Sequence, residues 1–157
     1  MVRSTGPVKA FFGRPVKGYV RGGAHVGAEI ILGRGESFLA LRRPKGLYGG
    51  PENALYFPHG EFLFGEQPGD CVTRLVYTQT GMKVAGYRIL DLWSWMADEK
   101  HHWHLVLVVL ARVKGRPSLP AEVSELVLFT LRDLPRDLAW WDPKDFVALL
   151  RRPGKKP

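Results

Sequence analysis

Apolar positions along the chain recur with two periods, and the change from one to the other lays out the elements. Residues 24 to 33, AHVGAEIILG, and 36 to 43, ESFLALRR, are apolar runs of strand length around Gly33-Arg34-Gly35, which predicts a β-hairpin. In the second run Phe38, Leu39, Ala40 and Leu41 are all apolar, as in a strand covered on both faces. From Pro68 to Thr80 the spacing becomes helical. Cys71, Val72, Leu75 and Val76 make an i, i+1, i+4, i+5 stripe, with Pro68 suited to the first turn and Gly81 to the stop. Strand character returns in residues 84 to 96, VAGYRILDLWSWM, and most clearly in 101 to 113, HHWHLVLVVLARV, with Asp98-Glu99-Lys100 as the turn between them. A later strand is predicted over Leu126 to Leu131. A last helix starts at Asp142-Pro143, with Asp as N-cap and Phe146, Val147, Leu149 and Leu150 as its core face. Between these elements, 44 to 56 and 114 to 121 are loops, and residues 1 to 22 hold neither period. The expected organisation is an arm over 1–22, one domain over 23–150 and a tail over 151–157, in 157 residues with no internal repeat.

Composition narrows the class. An apolar content of 45% and a charged content of 24% are those of a globular protein. No run of eighteen apolar residues exists, so no membrane partner is expected. A single cysteine, Cys71, excludes an intramolecular disulfide and fits a reducing cytoplasm. One Asn and two Gln hint at a thermophilic source. The net charge of +8 is uneven. Residues 1–45 carry nine Lys or Arg against Glu29 and Glu36, and 151–157 carry four basic residues and no acid, which leaves the middle mildly acidic. Basic ends suit a polyanion such as RNA, with plain surface solubility as the alternative. In the arm, Phe11, Phe12 and Tyr19 stand among Lys9, Arg14, Lys17 and Arg21, an arrangement that can stack on bases or simply pack on the domain.

The stretch richest in implication runs from Phe57 to Val84, FPHGEFLFGEQPGDCVTRLVYTQTGMKV. Gly60, Glu66, Arg74, Val76, Gly81 and Met82 stand at the spacing Gly-(five)-Glu-(seven)-Arg-x-aliphatic-(four)-Gly-aliphatic. This frame resembles the signature of the Nudix superfamily, in which Arg is followed by Glu and a Glu-Glu pair lies three residues further on. Here those positions are Leu75, Thr78 and Gln79. With the order of elements, the resemblance covers residues 24–150 and implies an α/β fold: an α/β/α sandwich around a mixed β-sheet.

The resemblance implies enzymes that cut a nucleoside diphosphate linked to another group. A divalent cation, Mg or Mn, neutralises the pyrophosphate and activates water. Hard cations take carboxylate oxygens, and i, i+3, i+4 positions share one helix face. Leu75 offers no ligand atom, and Thr78 and Gln79 offer only neutral oxygens. The expectation is a Nudix-like protein that has lost metal-dependent hydrolysis, holds no metal or other cofactor and binds a nucleotide or RNA, with a ribonucleoprotein or other protein as a further partner. Two alternatives stay open. One is an active hydrolase with relocated ligands from Glu61, Glu66, Glu122 or Glu125. The other is a protein-binding module using Trp93, Trp95 and Trp103. The resemblance also implies that the second strand borders the ligand cleft, making Arg42, Arg43, His59 and Gly60 phosphate-binding candidates. Glu66 and Arg74 would brace the loop against the helix. His59 also reads as a base or as a plain wall residue. The run His101, His102, His104 reads as a zinc set, as partners for base stacking with Trp103, or as neither.

Overall fold

A computed structural model describes residues 24–47, 50–97 and 102–152. In chain order the elements are β1 (Ala24–Arg34), β2 (Ser37–Arg43), β3 (Ala54–Tyr56), β4 (His59–Glu61), α1 (Pro68–Thr80), β5 (Lys83–Ala97), β6 (His102–Lys114), β7 (Glu125–Phe129) and α2 (Pro143–Arg151). The seven strands form one sheet in the order β3-β2-β1-β6-β5, with β4 added to β1 and β7 to β2. β1 and β6 run parallel while every other pairing is antiparallel, so the sheet is mixed.

Alternation along β1 sorts the core into two layers. Ile30 and Leu32 point to the side of Val72, Leu75 and Val76 on α1. Ile31 points to the opposite side, with Phe57, Val108, Trp141 and the α2 residues Phe146 and Leu149. A helix on each face of a mixed sheet is the predicted sandwich. β2 is buried on both faces from Phe38 to Leu41, because it lies between β1, β3 and β7 with helices above and below.

Both helices end where their terminal residues dictate. Pro68 stands in the first turn of α1, and Gly81 closes it at φ 70, a left-handed conformation that favours glycine. Asp142 caps α2 by accepting from the Lys144 amide. Three departures from the sequence pattern concern strands. The hairpin turn is Gly35-Glu36, one residue later than expected, since Arg34 pairs with Ser37. Ala54–Tyr56, expected in a loop, forms β3 against β2, and His59–Glu61 forms β4 against β1. Both are three residues long, too short to show a period. β7 covers Glu125–Phe129 rather than reaching Leu131. The expected turn at 98–100, His101 and the aromatic–basic arm lie outside the described residues.

Candidate ligand-binding cleft

The α1 face where the resemblance places carboxylates is filled from within the protein. Leu75 is 5% exposed and joins the core under β1. It packs so closely on β4 that a Cβ added at Gly60 would lie 2.6 Å from Leu75 Cδ2, so a side chain at residue 60 would make Leu75 shift. The Thr78 hydroxyl donates to the Arg74 carbonyl at 2.8 Å, one turn back in its own helix. Gln79 crosses to the sheet. Its Oε1 accepts from Arg43 Nη2 at 2.8 Å, and its Nε2 donates to the His59 carbonyl at 2.8 Å. The His59 amide approaches the same Oε1 at 3.4 Å. The primary amide of Gln79 therefore ties α1 to both β2 and β4, and it places a buried guanidinium against that turn of the helix.

Glu66 and Arg74 do brace the loop. Arg74 Nε and Nη2 donate to the two Glu66 oxygens at 2.7 Å each. Glu66 Oε2 also accepts from the Leu63 amide, and Arg74 Nη2 reaches the Glu61 carbonyl. The Arg74 guanidinium, by its hydrogen bonds to the carboxylate, holds the Glu66 carboxyl down at about 2. Glu66 raises the Arg74 pKa in return. Cys71 beside them is fully buried, and burial pushes its thiol up to about 11.

The other candidates are placed apart from the α1 face. Arg42, one residue from Arg43, points to the opposite side of the sheet. There it donates to Asp137 at 2.8 Å, Glu125 at 3.0 Å and the Asn53 carbonyl at 2.7 Å. Asp137, then Glu125, raises its pKa. Glu125 is thereby held away from α1, and Glu122 is exposed in the loop before β7. Glu61 lies 2.7 Å from His25 Nδ1. His104 stacks between Trp95 and His25, at 5.1 and 5.0 Å between ring centroids. The ring faces of His104 are thus engaged along the sheet, and the side chain of His102 lies outside the described residues.

Three residues that the sequence pattern did not single out belong to this region. Glu29 is 3% exposed, lies 2.7 Å from His59 Nδ1 and accepts from Trp141 Nε1 at 3.1 Å. A lone Glu in an apolar strand was the available signal, since such a residue needs partners when buried. Trp140 contacts His59 edge-on at 5.3 Å. With Trp141 and Trp93 it lines a cavity of about 300 Å³ between α2 and β5. The adjacent tryptophans before the N-cap were visible in the sequence; the left-handed turn at Trp140 (φ 65), which separates the directions of the two rings, was not.

The frame on α1 and β4, the sandwich around it and a match of residues 23–150 to the NUDIX domain model now stand together. The chain belongs to the Nudix family. Solved structures similar to this Nudix chain include the MutT NUDIX hydrolase from Burkholderia pseudomallei, at TM-score 0.65 and 20% identity over 83% of this chain and 98% of that one. Another is the MutT protein from Methanosarcina mazei Go1, at TM-score 0.62 and 18% identity over 85% and 96%. A NUDIX-family hydrolase from Clostridium perfringens aligns at TM-score 0.61 and 13% identity over 80% and 93%. At these identities the likeness shows the fold. No curated protein sequence matches the chain.

A divalent metal, which the family implies, does not fit the residues at its expected place. Leu75 supplies no donor atom, the Thr78 hydroxyl is turned onto its own helix, and the Gln79 oxygen accepts from a cation. Among the described residues, no three His, Cys, Asp or Glu side chains converge as a metal-binding set.

Proposed function

We propose that this Nudix-family protein has lost metal-dependent pyrophosphohydrolysis and binds a nucleotide or RNA without turning it over. The observation that carries this reading is the Arg43–Gln79 contact at 2.8 Å on the turn where the family pattern has its carboxylate pair. An exchange of carboxylate for amide, with a guanidinium beside it, swaps a negative site needing a metal for one with its own fixed positive charge. A phosphate that reached this buried guanidinium would meet charge complementarity with no ion to recruit. On this reading Arg43, Gly60 and the His59 backbone face the phosphate, while the His59 ring lies on the opposite side of the sheet beside Glu29 and Trp140. Arg42 is the weakest of the four candidates, because Asp137 and Glu125 already compensate it. The basic excess of residues 1–45 and 151–157 favours a longer polyanion such as RNA over an isolated mononucleotide.

The hydrolase alternative asks Glu61, Glu66, Glu122 or Glu125 to gather a metal. Three of these already hold partners, His25, Arg74 and Arg42 respectively for Glu61, Glu66 and Glu125. The test has two parts. Fluorescence anisotropy with a labelled nucleoside diphosphate and a labelled RNA is expected to show salt-sensitive binding. Arg43→Ala should weaken it about tenfold or more, the worth of one charge-assisted hydrogen bond. A screen of nucleoside diphosphate derivatives with Mg²⁺ or Mn²⁺ is expected to show no turnover. Metal-dependent release of phosphate or a nucleoside monophosphate would replace this reading with the hydrolase one.

A further inference from the structure

The sheet is longer than the helix that covers its α1 side. A helix of 13 residues is about 20 Å long, whereas β5 and β6, with 15 and 13 residues, extend about 45–50 Å. α1 buries Ile30, Leu32 and Val109, and the β5 edge of the same face stays uncovered. Register places Tyr87, Ile89 and Leu92 on this side, opposite Ala111, Val109 and Leu107. Strand alternation adds Val26 of β1, two residues before Ala28, and Trp103 of β6, four before Leu107. These five side chains are 38–54% exposed.

A large side chain buries about 150–250 Å² when fully enclosed, so the five leave roughly 400 Å² of apolar surface on one face, within the size range of functional patches. A standard interface takes about 800 Å² from each partner, a little over half of it apolar. The uncovered face thus supplies about the apolar share of one side of such an interface. Its charge says which partner it fits. Arg88 and Asp91, the charged residues of β5 nearest to it, pair with Leu110 and Val108 and so point to the α2 side. A polar pair on the face closes on itself, Trp103 Nε1 donating to Ser94 at 2.8 Å. Such a surface offers nothing to a charged partner. A second copy brings the same uncharged surface, so no charge is buried without a counter-ion. The height fits as well. α1 stands about one helix diameter, roughly 10 Å, above the sheet, and two sheets packed face to face lie about 10 Å apart. The uncovered strands of a second copy therefore fill the step beside α1.

We infer that two copies of this chain pack face to face through the α1 side of β5, β6 and β1, about a two-fold axis. In a two-fold interface the same residues meet from both sides, so Ile89 and Leu92, in the middle of the β5 edge, carry much of the contact. Arg43 lies elsewhere, against Gln79 of α1, so pairing here and phosphate binding there are independent.

Sedimentation equilibrium on the full chain tests this. At about 50 µM, in about 0.3 M salt to screen the net charge of +8, the expected mass is twice the 17.7 kDa of one chain. The double variant Ile89→Lys, Leu92→Lys should sediment as a single chain, because it sets like charges against each other across the axis. Both residues are already half exposed in the single chain, so the variant keeps its fold, which an unchanged circular dichroism spectrum verifies. Leu128→Lys alters a leucine as exposed as Leu92 but placed on β7, beyond β2, and should leave the dimer intact. A single-chain mass for the native protein at about 50 µM would overturn the inference and leave the face to another segment or another protein. A dimer that persists in the double variant, or one broken equally by Leu128→Lys, would also overturn it.

Discussion

Removal of the Gln79 amide is the sharpest probe of how α1 is held. In Gln79→Ala the helix loses its bond to Arg43 and its bond to the His59 carbonyl, each 2.8 Å long. The first is charge-assisted and contributes about 1.5–3 kcal/mol, while the second contributes about 1 kcal/mol. The longer His59 amide contact, at 3.4 Å, adds little. The expected destabilisation is therefore about 2.5–4 kcal/mol, read from urea unfolding followed by tryptophan fluorescence. At about 2–4 °C per kcal/mol for a chain of this size, the melting temperature should fall by about 5–16 °C. A double-mutant cycle with Arg43→Met isolates the pair, because the second substitution costs less once its partner is gone. The coupling should be about 1.5–3 kcal/mol. A coupling below about 0.5 kcal/mol would refute the claim that a protein-borne cation pins this helix.

Three further outcomes follow from the same geometry. The folded-state pKa of Glu66 is lowered to about 2 from an ordinary value of 4.5, so its contribution to stability is present above pH 4.5 and lost as the pH falls through 2. Glu66→Gln should therefore be less stable than the native chain at neutral pH, and the gap should close between those values; a gap that stayed constant across that range would contradict the Arg74 brace. Restoring Leu75→Glu, Thr78→Glu and Gln79→Glu together should yield little Mg²⁺ binding by calorimetry while Arg43 remains as an internal counter-ion, and more once Arg43→Ala is added. Equal binding with and without Arg43 would show that this guanidinium does not compete for the site. The Cys71 thiol, buried and pushed up to about 11, should resist a thiol-reactive dye until denaturant is added; rapid labelling of the native chain would mean that α1 lifts from the sheet.

The family frame is legible in the chain because its parts are local. Pro68, the Cys71-Val72-Leu75-Val76 stripe and Gly81 specify a helix through backbone geometry and period, and the observed α1 has those bounds. The long strands read equally well, since β5 and β6 extend over 15 and 13 residues, enough for alternation to show. β3 and β4 did not, because a three-residue strand exists only through its partner.

The candidate site divides along the same line. Which residues stand where the family pattern has carboxylates is a matter of spacing, plain in the chain. What those residues do depends on contacts between distant segments. Arg42 and Arg43 look interchangeable in sequence, yet strand alternation sends one to Asp137 and Glu125 and the other to Gln79. Glu29 and Trp141 are 112 positions apart and meet in the interior, where a charge cannot remain without a partner. A linear pattern carries period, caps and spacing. It does not carry which side chain lies across the sheet from which, and it is that three-dimensional pairing that put a guanidinium beside Gln79 and three tryptophans around one groove.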